Sequence, residues 1–152
     1  MNRRGFSFIE LMVALTVFGI LVNLAVPAIR TVQRKADAVH VIADFSAIRT
    51  AAMDRYAADG AFPPSDGWGQ VPPRMVGSLP TGFAFQYKNL QYRWRTRPLN
   101  DRRRARERVL LGLEVRGRGG RDQDRALMAA IGGIYRGPIL FNSPTQLTLI
   151  IE

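Results

Sequence analysis

The chain has 152 residues, room for one compact domain plus a long helix but hardly for two domains. A composition of 47% hydrophobic and 22% charged residues excludes wholesale disorder. The absence of cysteine excludes a disulfide framework, a thiolate metal site and a cysteine nucleophile. The formal charge of +10, carried almost wholly by arginine, favours anionic surfaces such as lipid headgroups, nucleic acid or acidic polymers, although an arginine-rich genome leaves the same imprint.

From Phe6 to Ile29 the only ionisable group is Glu10. At a helical rise of about 1.5 Å per residue this stretch reaches across a hydrocarbon core about 30 Å thick. Arg3 and Arg4 precede it, and the positive-inside rule keeps them cytoplasmic, with the C-terminal domain on the far side. A secretory signal fits poorly, because the apolar stretch is too long and no small-x-small cleavage site follows. A plain uncleaved anchor leaves Glu10 unexplained: a carboxylate in a membrane helix costs about 2–3 kcal/mol and calls for a partner. Pro27 removes a helical hydrogen bond, and Gly19 and Asn23 weaken the helix nearby. A kink at the membrane exit and a point of local unwinding both fit.

The run Arg3-Arg4-Gly5-Phe6-Ser7-Phe8-Ile9-Glu10-Leu11-Met12-Val13-Ala14-Leu15 resembles the precursors of type IV pilins and type II secretion pseudopilins. The resemblance covers about the first 30 residues firmly and the next 30 loosely. It implies a leader of residues 1–5, a transmembrane and assembly helix over 6–29, and an exported part over 30–152 made of an amphipathic helix and a globular domain. It further implies a prepilin peptidase that cuts after Gly5 and methylates the new amino terminus of Phe6. The subunits then sit single-pass in a bacterial inner membrane, with a periplasmic domain. From there an inner-membrane assembly platform builds them, with other pilin or pseudopilin subunits, into a filament. The charge chemistry agrees: a buried carboxylate and a buried amine are each costly alone and tolerable together, so Glu10 of one subunit meeting the Phe6 amine of a neighbour would set the axial register. Pro27 matches a proline that pilins commonly carry.

From Arg30 to about Ala58 the pattern becomes amphipathic, with Ala38, Ile42, Phe45, Ile48, Ala52 and Tyr56 stepping along one helical face. Asp59-Gly60 ends this helix, and Phe62-Pro63-Pro64 prevents its continuation. The phrase from Tyr56 to Pro63 resembles the helix exit of pseudopilins. Ser65 to Gly82 reads as a packed loop. Phe83–Lys88 and Leu90–Arg95 form a hairpin about Asn89, and Val109–Val115 a third strand. Arg121–Ile131 forms a helix ending at Gly132-Gly133, and Ile139–Phe141 with Gln146–Ile151 a terminal hairpin. The expected fold is α+β: a long N-terminal helix, membrane-spanning in its first half, packed on a small antiparallel sheet.

Nothing in the sequence spells an enzyme. His40, the single histidine, has no catalytic companions, and no phosphate loop, dinucleotide fingerprint or zinc spacing occurs. No cofactor is expected. Asp122 and Asp124 are a weak start for calcium, which needs six or more oxygen ligands; the first turn of a helix accounts for them as well. Arg93, Arg95, Arg97, Arg102, Arg103 and Arg104 cluster near Tyr92 and Trp94, a pattern that can hold phosphates and stack on bases. A membrane-anchored nucleic-acid-binding module is therefore the alternative to a filament subunit. A solvated strand edge, kept from pairing by its charge, is the favoured account of these arginines.

Overall fold

The computed structural model describes residues 7–99 and 108–151, with the side chains of residues 97–99 and 108–110 left aside. The chain divides into two compact units, Met1–Arg34 and Lys35–Glu152. Helix α1 (Phe8–Asp59) contributes to both.

The second unit is built on a five-stranded antiparallel sheet in the order β1-β2-β3-β5-β4. Its strands are β1 (Gln86–Tyr87), β2 (Leu90–Leu99), β3 (Arg108–Gly117), β4 (Ile139–Ser143) and β5 (Gln146–Ile151). Strand alternation sorts the side chains. Leu90, Tyr92 and Trp94, then Leu111, Leu113 and Val115, then Leu147, Leu149 and Ile151 all face the core. Ala38, Val41, Phe45, Ile48, Ala51 and Ala52 of α1 close that core, joined by Met128 and Ile131 of α2 (Arg121–Ile134). This is the α+β arrangement expected from the sequence. Full burial of each large apolar side chain here stabilises the unit by about 1.5–3 kcal/mol.

Three expectations need correction. Tyr56 was expected on the buried face of α1, yet it is exposed and stacks on Phe62 with ring centres 4.4 Å apart, while Val41 and Ala51 join the core instead. Position 56 lies a turn beyond the last buried residue, Ala52, where the chain is already leaving for the helix exit. Helix α2 does not stop at Gly132-Gly133 but runs to Ile134. The Phe141 ring lies against Gly132, where a Cβ would come within 2.8 Å of its Cζ, so this glycine serves packing rather than termination. The first strand is only Gln86–Tyr87, not Phe83–Lys88.

The short first strand has a visible cause. Beyond Phe85, whose carbonyl accepts the Tyr92 N–H, the edge of β2 is satisfied by the loop after α1. Gly69 N–H donates to Tyr92 O at 2.8 Å, and Ser65 Oγ both accepts from the Thr96 N–H and donates to its carbonyl. The loop thus covers an edge that would otherwise invite pairing. The Trp94 indole, fully buried, donates to Pro63 O at 2.8 Å and ties the helix exit to β2. Gly60, at φ 68°, takes the left-handed conformation that ends α1 after Asp59.

Candidate assembly segment and basic sheet face

Helix α1 starts where the sequence supplies a capping box. The Ser7 carbonyl accepts the Leu11 N–H at 3.2 Å, and the Ser7 N–H donates to Glu10 Oε2 at 3.0 Å. The Glu10 side chain of the Ser-x-x-Glu pattern thus satisfies the Ser7 N–H, one half of the reciprocal pair that such a box can make. Glu10, singled out for assembly, therefore has a local task as well. Its carboxylate folds back over the first turn, where the helix dipole favours negative charge. The signal was legible in Ser7-Phe8-Ile9-Glu10, but sequence reasoning missed it because the carboxylate was considered only for a partner in another subunit. Gly5 and Phe6 lie outside the described residues.

The rest of this segment is apolar and uncovered. Phe8, Phe18 and Leu24 are each about two-thirds exposed or more, at 77%, 65% and 68%. The most apolar window of α1 has none of its residues buried, so length and composition suit a membrane crossing and a soluble-core role does not explain them. The polar side chains within the stretch find partners inside the helix. Thr16 Oγ1 donates to Met12 O at 2.8 Å and Asn23 Nδ2 to Gly19 O at 2.9 Å. Hydrocarbon demands such internal satisfaction, because no water is present to supply it. Pro27 stands inside α1 and offers no N–H to the Asn23 carbonyl, while its own carbonyl accepts from Thr31 Oγ1 at 3.0 Å.

The arginine cluster of the second unit is divided. Arg93 donates to Glu114 Oε2 through Nε at 2.8 Å and again through Nη2, and Arg95 donates to Glu114 Oε1 at 3.1 Å. One buried carboxylate thus serves two guanidinium groups across the β2–β3 ladder. The Trp68 ring centre is 4.3 Å from Arg93 Cζ and 4.2 Å from Arg116 Cζ, a double cation–π contact. Arg97 belongs to β2, with its side chain outside the described set, and Arg102, Arg103 and Arg104 lie outside the described residues. Neither Glu114 nor Trp68 was anticipated, since both join the arginines only through the sheet register and a loop.

His40 is held rather than poised for chemistry. Its Nδ1 lies 3.1 Å from Asp44 Oδ2, and its ring stacks on Tyr87 at 3.9 Å. Asp44 also accepts from the Tyr92 hydroxyl at 2.9 Å. Burial, then the charge of Asp44, push that hydroxyl far above its ordinary pKa. Asp37 accepts from the Tyr87 hydroxyl and from Lys88 Nζ at 2.6 Å, and this hydrogen bond raises the Lys88 pKa. Asp122 and Asp124 stand in the first turn of α2. Asp124 is buried against Gly117 and Gly119, where burial raises its pKa and the Gly119 backbone opposes the rise. Among the described residues no group of three or more His, Asp or Glu side chains could hold a metal ion.

Residues 1–22 match the family described as the prokaryotic N-terminal methylation motif. Over 60 residues the chain is 37% identical to the type II secretion system core protein G of Klebsiella michiganensis, covering 40% of this chain and 42% of that protein. It is 35% identical to the protein of the same name from Klebsiella pneumoniae, with the same coverage. The chain thus spans about two fifths of the length of the curated relatives it matches. No solved structure matches. Residues 1–22 thus carry the prokaryotic N-terminal methylation motif, and a 60-residue stretch of the chain is similar to the type II secretion system core protein G of both organisms.

Proposed function

We propose that this chain is a structural subunit of an envelope filament, of the pseudopilin or minor-pilin type. It is cleaved after Gly5 by a prepilin peptidase, methylated on Phe6, held single-pass in the inner membrane and assembled with other subunits from an inner-membrane platform. The observation that carries this reading is the methylation motif over residues 1–22 together with the uncovered apolar first half of α1, in which the lone carboxylate, Glu10, stands in the first turn. A plain anchor needs neither the motif nor the carboxylate. The likeness to type II secretion system core protein G favours secretion over the other filament systems. The reading is structural rather than enzymatic, and the engaged state of His40 agrees with it. Nucleic acid gains no support from Arg93 and Arg95, whose guanidinium groups share Glu114.

In a filament, the Glu10 carboxylate would exchange or supplement its bond to the Ser7 N–H with the cationic amine of a neighbour's Phe6. A Glu10→Ala subunit is expected to insert in the membrane as the wild type does and to be left out of filaments, as read by sheared-filament fractionation. Normal incorporation of that variant would contradict the pairing.

A further inference from the structure

The apolar stretch from Phe8 to Ile29, at about 1.5 Å per residue, covers a hydrocarbon core about 30 Å thick, so Arg30 falls where such a stretch meets the headgroups. Arg34 follows one turn later on the same helical face, and Val26 precedes Arg30 by one turn. All three are exposed and belong to the unit Met1–Arg34. Neither arginine has an ion-pair partner among the described residues. No acid stands between Glu10 and Asp37 in the sequence, and Asp37 already accepts from Lys88 and Tyr87. Two like charges at this spacing repel and weaken the helix that carries them. Orientation does not account for them either. With the amino terminus inside, the positive-inside rule asks for cations before the stretch, which Arg3 and Arg4 supply in the sequence, and not after it.

We propose that Arg30 and Arg34 bind the headgroup of an anionic phospholipid, its phosphodiester held between the two guanidinium groups and its acyl chains lying along the apolar side chains of the preceding turn. The inference rests on the membrane-anchored reading of α1 given above. An anion between the two arginines relieves their repulsion, and the guanidinium fork matches phosphate oxygens with paired hydrogen bonds. The backbone adds nothing, because N–H groups this far inside α1 are committed to the helix. A free phosphate would therefore depend on two exposed side chains alone. A phospholipid brings tails as well. Val26 and Ile29, 39% and 54% exposed, offer them apolar surface directly beside the charges. Nucleic acid has no use for that surface, and no Phe, Tyr or Trp stands between Phe18 and Phe45 for a base to stack on.

The test reconstitutes the full chain in phosphatidylcholine vesicles. Electron paramagnetic resonance then reads how strongly spin-labelled phosphatidylglycerol and spin-labelled phosphatidylcholine associate with it. The expected result is an association about tenfold stronger for phosphatidylglycerol, reduced to near equality when Arg30→Gln and Arg34→Gln are combined. Arg49→Gln combined with Arg74→Gln removes the same charge from exposed positions elsewhere and should leave the preference intact. Inorganic phosphate at millimolar levels should not displace the labelled lipid. Resistance to alkaline carbonate extraction, measured on the same vesicles, reports whether each chain is inserted. A chain that inserts yet shows no lipid preference overturns the site and leaves the anchor reading standing, with the two arginines left to acidic side chains of another subunit. A chain that carbonate extracts overturns both. Equal loss in the two double variants overturns the site in favour of diffuse charge, and displacement by inorganic phosphate in favour of a plain anion site.

Discussion

The two units of this chain solve the same problem in opposite ways. In Lys35–Glu152 the apolar side chains of α1 turn inward onto a sheet, and polar groups find partners across elements, as Tyr92 finds Asp44 and Arg93 finds Glu114. In Met1–Arg34 the described apolar side chains face outward, and the polar ones bond within their own helix. One helix, α1, carries both patterns. The first pattern is complete in water. The second is complete only in lipid or among other helices.

Substitutions that touch one unit should leave the other intact. The largest effect is expected from Trp94→Ala, which empties a fully buried site and takes the indole donor from the Pro63 carbonyl. Loss of about 3–5 kcal/mol should appear in urea titration, with membrane insertion unchanged. A loss under about 1 kcal/mol would place Trp94 outside the stabilising core. Phe18→Arg should act the other way. A cation near the middle of the apolar stretch opposes insertion by about 2.5–3.5 kcal/mol. The variant should become extractable by alkaline carbonate while its urea midpoint stays that of the wild type. A joint loss of insertion and of fold would break the division into two independent chemistries.

A smaller effect sharpens the picture of the second unit. Burial raises the Asp124 pKa above its ordinary 3.8. The folded state therefore holds this proton more firmly than the unfolded one. The resulting penalty is absent below about pH 3.8 and grows as pH rises through the elevated folded value. Asp124→Asn removes the penalty. The stability of the variant relative to wild type should rise as pH increases above about 4, measured by paired urea titrations. A difference constant in pH would show that Asp124 titrates alike in both states.

The parts of the molecule readable from sequence are those written by neighbouring residues. The methylation motif and the Asp59-Gly60 stop are local, and local chemistry decides them; the terminal hairpin was legible too, although β4 runs on through Asn142 and Ser143 and the turn falls at Pro144-Thr145. What escaped depends on register or on packing at a distance. Glu114 meets Arg93 and Arg95 only because β2 and β3 pair Arg93 with Glu114. The loop from Pro63 to Gly69 replaces a longer first strand because it satisfies the β2 edge just as well, a substitution that alternation in Phe83–Lys88 cannot reveal. Gly132 looks like a helix stop in sequence and is a seat for Phe141 in space. The capping role of Glu10 is the exception: it was local and legible, and was hidden by the stronger functional meaning of the same residue.

The central claim concerns the bond between Gly5 and Phe6. Intact-mass and N-terminal peptide mass spectrometry of the membrane-bound chain, from cells with and without a prepilin peptidase, tests it most directly. With the peptidase, the account predicts a chain that begins at Phe6 and carries one methyl group on its amino terminus; without it, a chain that begins at Met1. An intact Met1 start in the presence of the peptidase would contradict the account.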